Sequence, residues 1–345
     1  MNPTAPNAAA PNPAAPNADP PQTHQVHEFK YASPLLACRF DPKGENVFAS
    51  AQDMSIQRWN LASGKVTPLV GHESWVWTLA FHPTTGTLYS GSYDGRVLFW
   101  DGEAETPAPT RTLEAHQGWV RTVKVSPDGN LLATCGNDNL VRLWNAADGT
   151  HLNTLTGHAN HVYNLAFHPT LPRLVSGDLK GVVREWDLAS GEELRQFDAS
   201  PLWKYDAGFQ ADIGGVRSMA FSADGKHLAC GGITEVSNAF AGIGTPTVVV
   251  IDYEKGEKVQ QWLTEKKFRG TATGLFFLAS GAAIGSTSGH DGGHLLFWKL
   301  DGANEFFDLK TPELLRDLDL HRDGLRVAAS GHGGALRVWQ MTAKA

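Results

Sequence analysis

The feature that most constrains this chain is a tryptophan that keeps returning. Trp59, Trp100, Trp144, Trp186, Trp298 and Trp339 each close a short apolar run, at intervals of 41, 44, 42, 112 and 41 residues. The long interval holds one degenerate unit, VVVIDYEKGE, which sets Ile251 where a tryptophan would stand, so the units number seven. A period in the low forties with four short strands per unit signals propeller blades: one unit cannot bury its sheet alone, whereas a ring of units can.

Within a unit, alternation and punctuation locate the strands. In one of them, WVRTVKV reads as a strand, SPDGN as a turn, LLATC as a strand, GNDN as a turn, LVRLWN as a third strand and HLNTL, after AADG, as a fourth. Asp-Gly and Pro-Asp-Gly supply the positive-φ positions that tight hairpins require. The order returns in FHPTTGTLYSGSYDGRVLFWD and in FSADGKHLACGG. With 36 glycines and 41% hydrophobic residues, 345 residues suffice for one large closed all-β unit.

The recurring motifs carry a family resemblance. Ala115-His116 is followed by V, PDG, LATCGND and LW at offsets that return after Gly71-His72 and Gly157-His158, and this pattern resembles the WD-repeat family. The resemblance covers nearly all of the chain after residue 23, and it implies an all-β, seven-bladed β-propeller over 24–342. It also implies a structural reading for sets that could be mistaken for hydrolase triads. His72, Ser90, Asp94 and Trp100 return as His116, Thr134, Asp138 and Trp144, and in part as His158, Ser176 and Trp186, with Lys180 at the acid position. In the family such a set is a buried hydrogen-bond chain. A catalytic set, moreover, does not come in copies around a ring.

Both ends of the chain bear on closure. Six residues follow Trp339, too few for an outer strand, while HQVHEFK at 24–30 is an alternating strand with no blade of its own. Placed as the fourth strand of the last blade, it closes the ring and removes the exposed edges that an open array of sheets would present. Residues 1–23 are nearly all Pro, Ala and Asn, a composition that buries too little surface to offset the entropy of ordering, so a disordered tail is expected.

Several kinds of chemistry find no support. A net charge of −7 and the lack of a Lys/Arg run argue against a nucleic-acid footprint. Cys38, Cys135 and Cys230 sit singly in apolar stretches, as buried thiols of a reducing compartment would. The sequence opens with neither a secretory signal nor a membrane span, so a cytoplasmic location is expected. Gly-His-Asp-Gly-Gly-His at 289–294, with His332 in the next unit, reads as a solvated hairpin and not as a metal site. The Gly-rich strings lack a following helix that could bind phosphate. Neither a cofactor nor a small-molecule substrate is expected.

What remains is binding. Family geometry implies that the loops entering the first strand of each blade, and those joining its second and third strands, share one face, the top. That face would carry Trp75, Trp77 and Tyr93, then Trp119, Arg121, His161, Tyr163, Arg217 and Arg316. Two insertions in the fifth unit fall on the same face: ASPLWKYDAGFQADIGG, with Trp203 and Tyr205, and ITEVSNAFAGIGTP, with Phe240. Aromatic residues and arginine are over-represented among interface hot spots. The expectation is therefore a non-catalytic scaffold that binds a protein or peptide through the top face. The rival from another class is a propeller enzyme, a metal-dependent hydrolase or lactonase with its site in the central channel. It would need inward carboxylates or histidines from several blades, whereas the inward positions read as aromatic, Thr, Gly and Arg.

Overall fold

The apolar runs become strands because most of them are covered on both faces. In the computed structural model, which describes residues 17–238, 243–264, 268–289 and 292–344, blade 3 is built from Val120–Val125, Leu131–Gly136, Val141–Asn145 and His151–Leu155, antiparallel and in spatial order. Blades 1, 2, 4, 5 and 6 repeat this plan over 35–70, 76–114, 162–198, 218–262 and 271–311. The second strand of blade 3 is buried at every position but its first, and so is that of blade 2, Thr87–Ser92. Sheets covered on both sides read as continuous apolar runs. The outermost strand Val66–Val70 alternates exposed and buried residues, as a strand with one wet face should.

Blade 7 takes Leu315–Leu320, Arg326–Gly331 and Ala335–Gln340 from the end of the sequence and its outer strand, His24–Lys30, from the start. The register runs from His24 opposite Gln340 to Lys30 opposite Ala335. Phe29 stacks on Trp59 of blade 1, and Glu28 takes a 2.8 Å ion pair from Arg337. The ordered chain reaches back past residue 24: Pro20–Gln22 form a single 3-10 turn, and the Asp19 N–H donates to the Met341 carbonyl at 2.7 Å. Innermost strands touch in the order of the blades, with the seventh against the first. Among the described residues no helix is long and apolar enough to cross a membrane.

Seven buried clusters fill the seven gaps between blades. In each gap the recurrent tryptophan of one blade packs toward the blade before it, as Trp100 does against Phe48 and Ile56 of blade 1. Ile251 occupies that place between blades 4 and 5, beside Val175 and Val183. Thus the degenerate unit keeps its packing role with a smaller side chain.

One irregularity recurs and positions the site. Where the innermost strand enters each sheet, blades 2, 3, 4, 6 and 7 carry a β-bulge that leaves Trp77, Arg121, Tyr163, Thr273 and Arg316 without a cross-strand partner. Blade 1 is irregular at Leu36, and in blade 5 Arg217 precedes the paired strand, its N–H donating to the Gly231 carbonyl. A bulge re-aims its side chain. All seven of these residues line the mouth of the central channel.

Candidate functional site

Three buried hydrogen-bond chains stand beside the mouth. In blade 2 the Trp100 indole N–H donates to Ser90 Oγ at 2.8 Å, Ser90 lies 2.7 Å from His72 Nε2, and His72 Nδ1 lies 2.9 Å from Asp94. Blade 3 repeats the chain through Trp144, Thr134, His116 and Asp138 at 3.0, 2.8 and 2.8 Å. The indole is a fixed donor to the hydroxyl, and an imidazole with its proton on Nδ1 satisfies the rest of the chain, donating to the carboxylate and accepting the hydroxyl proton at Nε2. Burial alone would raise Asp94 and Asp138, but hydrogen bonds from the paired histidine outweigh it and hold both carboxyls well below the usual range. Each hydroxyl is fully buried under its indole, so these groups tie the entry loop of each blade to its second and third strands and cannot reach a substrate.

Blade 4 departs from the sequence expectation. Its acid is Asp178, two positions before Lys180, with His158 Nδ1 at 3.0 Å and the Ser176 and Trp186 links at 2.7 Å each. Position 178 corresponds to Ser92 of blade 2, whose hydroxyl bonds to the Ser74 carbonyl in the same entry loop, and a carboxylate at this place in blade 4 reaches the histidine Nδ1. Lys180 points instead to Asp212 and to the face of Trp203.

The mouth is organised around two tyrosines. Tyr93 lies flat on Trp119, with centroids 3.9 Å apart and planes within 4°, and it also stacks on Trp77 at 5.1 Å and Trp75 at 5.8 Å. Burial pushes its hydroxyl up to about 12. Tyr163 lies between two guanidinium groups, Arg121 at 4.7 Å and Arg217 at 4.3 Å from its ring centroid, and Arg121 also covers Trp119 at 4.6 Å. Arg121 donates to Asn137 Oδ1 at 2.7 Å, and Arg316 lies 3.2 Å from His332 Nδ1. Burial draws both Arg217 and Arg316 below the ordinary arginine value. On the rim, Trp75 and Trp119 keep 42% and 39% of their surface exposed. His161 is turned to the Asn139 side chain at 3.1 Å.

The first insertion of blade 5 folds as a two-stranded hairpin of its own, Trp203–Asp206 against Ala211–Gly214. Trp203 donates its indole N–H to Asp212 at 2.9 Å, while Tyr205 and Phe209 are exposed. Gly214 and Gly215, at φ +105° and +92°, return the chain to Arg217; a Cβ on Gly215 would sit 2.8 Å from Leu179 Cα and 3.0 Å from the Tyr163 ring. The hairpin is tied to the second insertion by Lys204 Nζ, 2.7 Å from the Val236 carbonyl. Among the described residues neither Trp203 nor Tyr205 makes a ring contact with the Tyr93 group. Phe240 lies outside the described residues, as do His290, Asp291 and residues 1–16.

Below the mouth the channel, about 590 Å³ in all, holds Arg39, Lys124 and Asp317. Arg39 pairs with Asp317 at 2.5 Å, and the Phe40 N–H donates to Asp319 at 2.8 Å. Burial raises Asp319 to about 6 despite nearby Arg39, and lowers Lys124 to about 8. Asp317 and Asp319, both from blade 7, correct the expectation that the inward positions carry no carboxylate. Among the described residues no three His, Cys, Asp or Glu side chains come together as a metal site.

The profile of the "WD domain, G-beta repeat" family matches residues 64–101, 107–145, 149–187 and 207–233. The first three matches each take the outer strand of one blade and the three inner strands of the next, and end at the residue after the recurrent tryptophan. The chain is a seven-bladed β-propeller that carries WD repeats. Its relatives include an uncharacterized WD repeat-containing protein of Schizosaccharomyces pombe, 29% identical over 48% of this chain and 48% of that protein. The COMPASS component SWD3 of Saccharomyces cerevisiae is 27% identical over 50% of this chain and 58% of its own length. The nuclear distribution protein nudF of Aspergillus niger is 30% identical over 47% and 34%. The WD-repeat chain thus spans between about a third and three fifths of these three relatives.

Sequence reasoning about this WD-repeat propeller found the aromatic and arginine residues of the top face but missed Arg39, Lys124, Asp317 and Asp319. A signal was present. In RDLDL the acids alternate with leucines on an innermost strand, whose second face can only be the channel.

Proposed function

We propose that this WD-repeat protein is a non-catalytic, cytoplasmic interaction scaffold whose top face binds a protein or peptide. The observation that carries this reading is the Tyr93 stack: two large indoles, Trp75 and Trp119, stay well exposed while a half-buried tyrosine fixes their planes. Rigid aromatic surface beside a concave mouth gives a partner area to bury at low entropic cost. His161, Tyr163, Arg217 and Arg316 extend the surface across blades 4, 5 and 7, and the hairpin carrying Trp203 and Tyr205 adds a wall beside blade 4. Two relatives bear names that fit such a role, a COMPASS component and a nuclear distribution protein. The three buried free thiols suit a reducing compartment.

The rival enzyme reading requires inward ligands from several blades. The described channel instead offers two carboxylates of one blade, one of them taken by Arg39, among cationic neighbours. The test is affinity capture from cytosol with the wild type and with Trp75→Glu, Trp119→Glu and Tyr163→Glu combined, thermal melting confirming that both are folded. Partners held by the wild type and lost by the variant are expected. An unchanged partner set would refute the top-face assignment.

A further inference from the structure

The channel and its mouth hold an imbalance of charge. Five cationic side chains, Arg39, Arg121, Lys124, Arg217 and Arg316, face two carboxylates, Asp317 and Asp319. Arg39 is neutralised by Asp317, and Asp319 lies close enough to Lys124 to feel its charge. The surplus sits at the mouth, on the arginines of blades 3, 5 and 7. Among the described residues none of these three has a carboxylate within ion-pair distance; their neighbours are the Asn137 amide, the Tyr163 and Trp119 rings and the His332 imidazole, all neutral acceptors or π faces. Among the described residues Arg316 Nε is buried with no hydrogen-bond partner. Glu313, on the same approach to blade 7, is engaged by Arg337 and the Gly333 N–H.

Desolvated cations without counter-charges are costly, and the protein carries −7 overall, so this local excess runs against its composition. Like charges are moreover brought together: Arg121 and Arg217 share one tyrosine ring. Bulges and a chain entry set these arginines at equivalent places in their blades, which aims them at a common point. Planar guanidinium groups held by ring stacking are preorganised for the oxygens of an anion.

We infer that the mouth formed by Arg121, Arg217 and Arg316 is an anion-binding site that receives one acidic side chain, a carboxylate or a phosphoryl group, from the peptide segment bound across the Tyr93 aromatic surface. The inference rests on the top-face reading and supplies its recognition chemistry. A peptide fits better than a nucleic acid, because the cations converge on one pit, whereas a sugar-phosphate backbone needs a track of contacts.

The test uses the full chain and fluorescein-labelled peptides about nine residues long that differ only at the central residue, Glu, phosphoserine or Gln, with an oligothymidylate of similar length. Anisotropy is followed at about 50 and 300 mM salt, where screening of exposed charge differs strongly. The acidic peptides are expected to bind about tenfold or more tighter than the Gln peptide, with a preference that shrinks in salt; the tighter of the two acidic peptides identifies the anion. Arg217→Gln and Arg316→Gln, each verified by melting temperature, should erase the preference, and Arg217→Lys should keep part of it. Equal binding of the Gln peptide, a preference surviving both Gln variants, or tighter binding of the oligothymidylate would overturn the inference. If the preference is absent while Trp119→Glu still loses captured partners, the top-face reading stands and the anion site falls. If the preference is present while the aromatic variants keep every partner, the reading falls and the mouth remains an anion site.

Discussion

At the residue scale, the buried hydrogen-bond chains contribute through what they satisfy. Thr134→Val keeps volume but leaves the Trp144 N–H and His116 Nε2 facing each other without a shared hydroxyl. A loss of about 2–4 kcal/mol in chemical denaturation is expected, since two buried groups lose their partners. Ser218→Ala is the contrast: its buried hydroxyl has no hydrogen-bond partner among the described residues, so its loss should cost under about 1 kcal/mol. Similar costs for the two would show that the chain adds nothing beyond packing. A second prediction concerns pH. The folded value of Asp319, about 6, lies above the ordinary aspartate value of 3.8, so the folded protein holds a proton that the unfolded chain releases. The stability this confers is full below the unfolded value and is lost as pH rises through about 6. Relative to Asp319→Asn, the wild type should therefore lose about 2 kcal/mol of unfolding free energy between pH 4 and pH 7. Parallel curves for wild type and variant would mean that Asp319 is not held protonated by burial.

At the scale of strands and turns, much was legible because each element must meet the same packing condition seven times. The tryptophan marks the end of the third strand and the gap to the preceding blade, and Ile251 is readable as its substitute only because the neighbouring units fix the place. The hydrogen-bond chains were legible from recurring offsets where the acid keeps its position, as Asp94 and Asp138 do, and illegible in blade 4, where Asp178 reaches the same nitrogen from another turn position. In blades 2, 3 and 4 the top-face residues flank the buried start of the innermost strand in pairs, Trp75 and Trp77, Trp119 and Arg121, and His161 and Tyr163. Their division was hidden, because a bulge shifts the register by one residue without altering the apolar pattern. Hence Trp77, Arg121 and Tyr163 enter the mouth while Trp75 and Trp119 stay on the rim. The hairpin at Trp203–Gly214 was seen as an insertion but not as a sheet, since four-residue strands around Gly208 give too little alternation to read.

At the scale of the whole molecule, closure decides stability. The last blade is a complete four-stranded sheet only because the first and last strands meet in it, and here His24–Lys30 supplies the outer strand of a blade otherwise built from the end of the sequence. Removing that strand uncovers the Ala335–Gln340 edge, frees Arg337 from Glu28 and strips Phe29 from Trp59 at the gap between blades 7 and 1. The described anchors of the closure begin at Ala18, which packs on the core of blades 6 and 7, and Asp19, bonded to Met341. A chain starting at Asn17 should therefore melt within a degree or two of the full protein, whereas one starting at Tyr31 should melt many degrees lower or aggregate through the exposed edge. Adding the 17–30 segment back as a separate peptide should restore part of the loss, because the edge it pairs with is already formed. Equal melting of the two truncated chains would mean that the ring is held by its inner strands alone, and that this strand only covers an edge the fold can leave open.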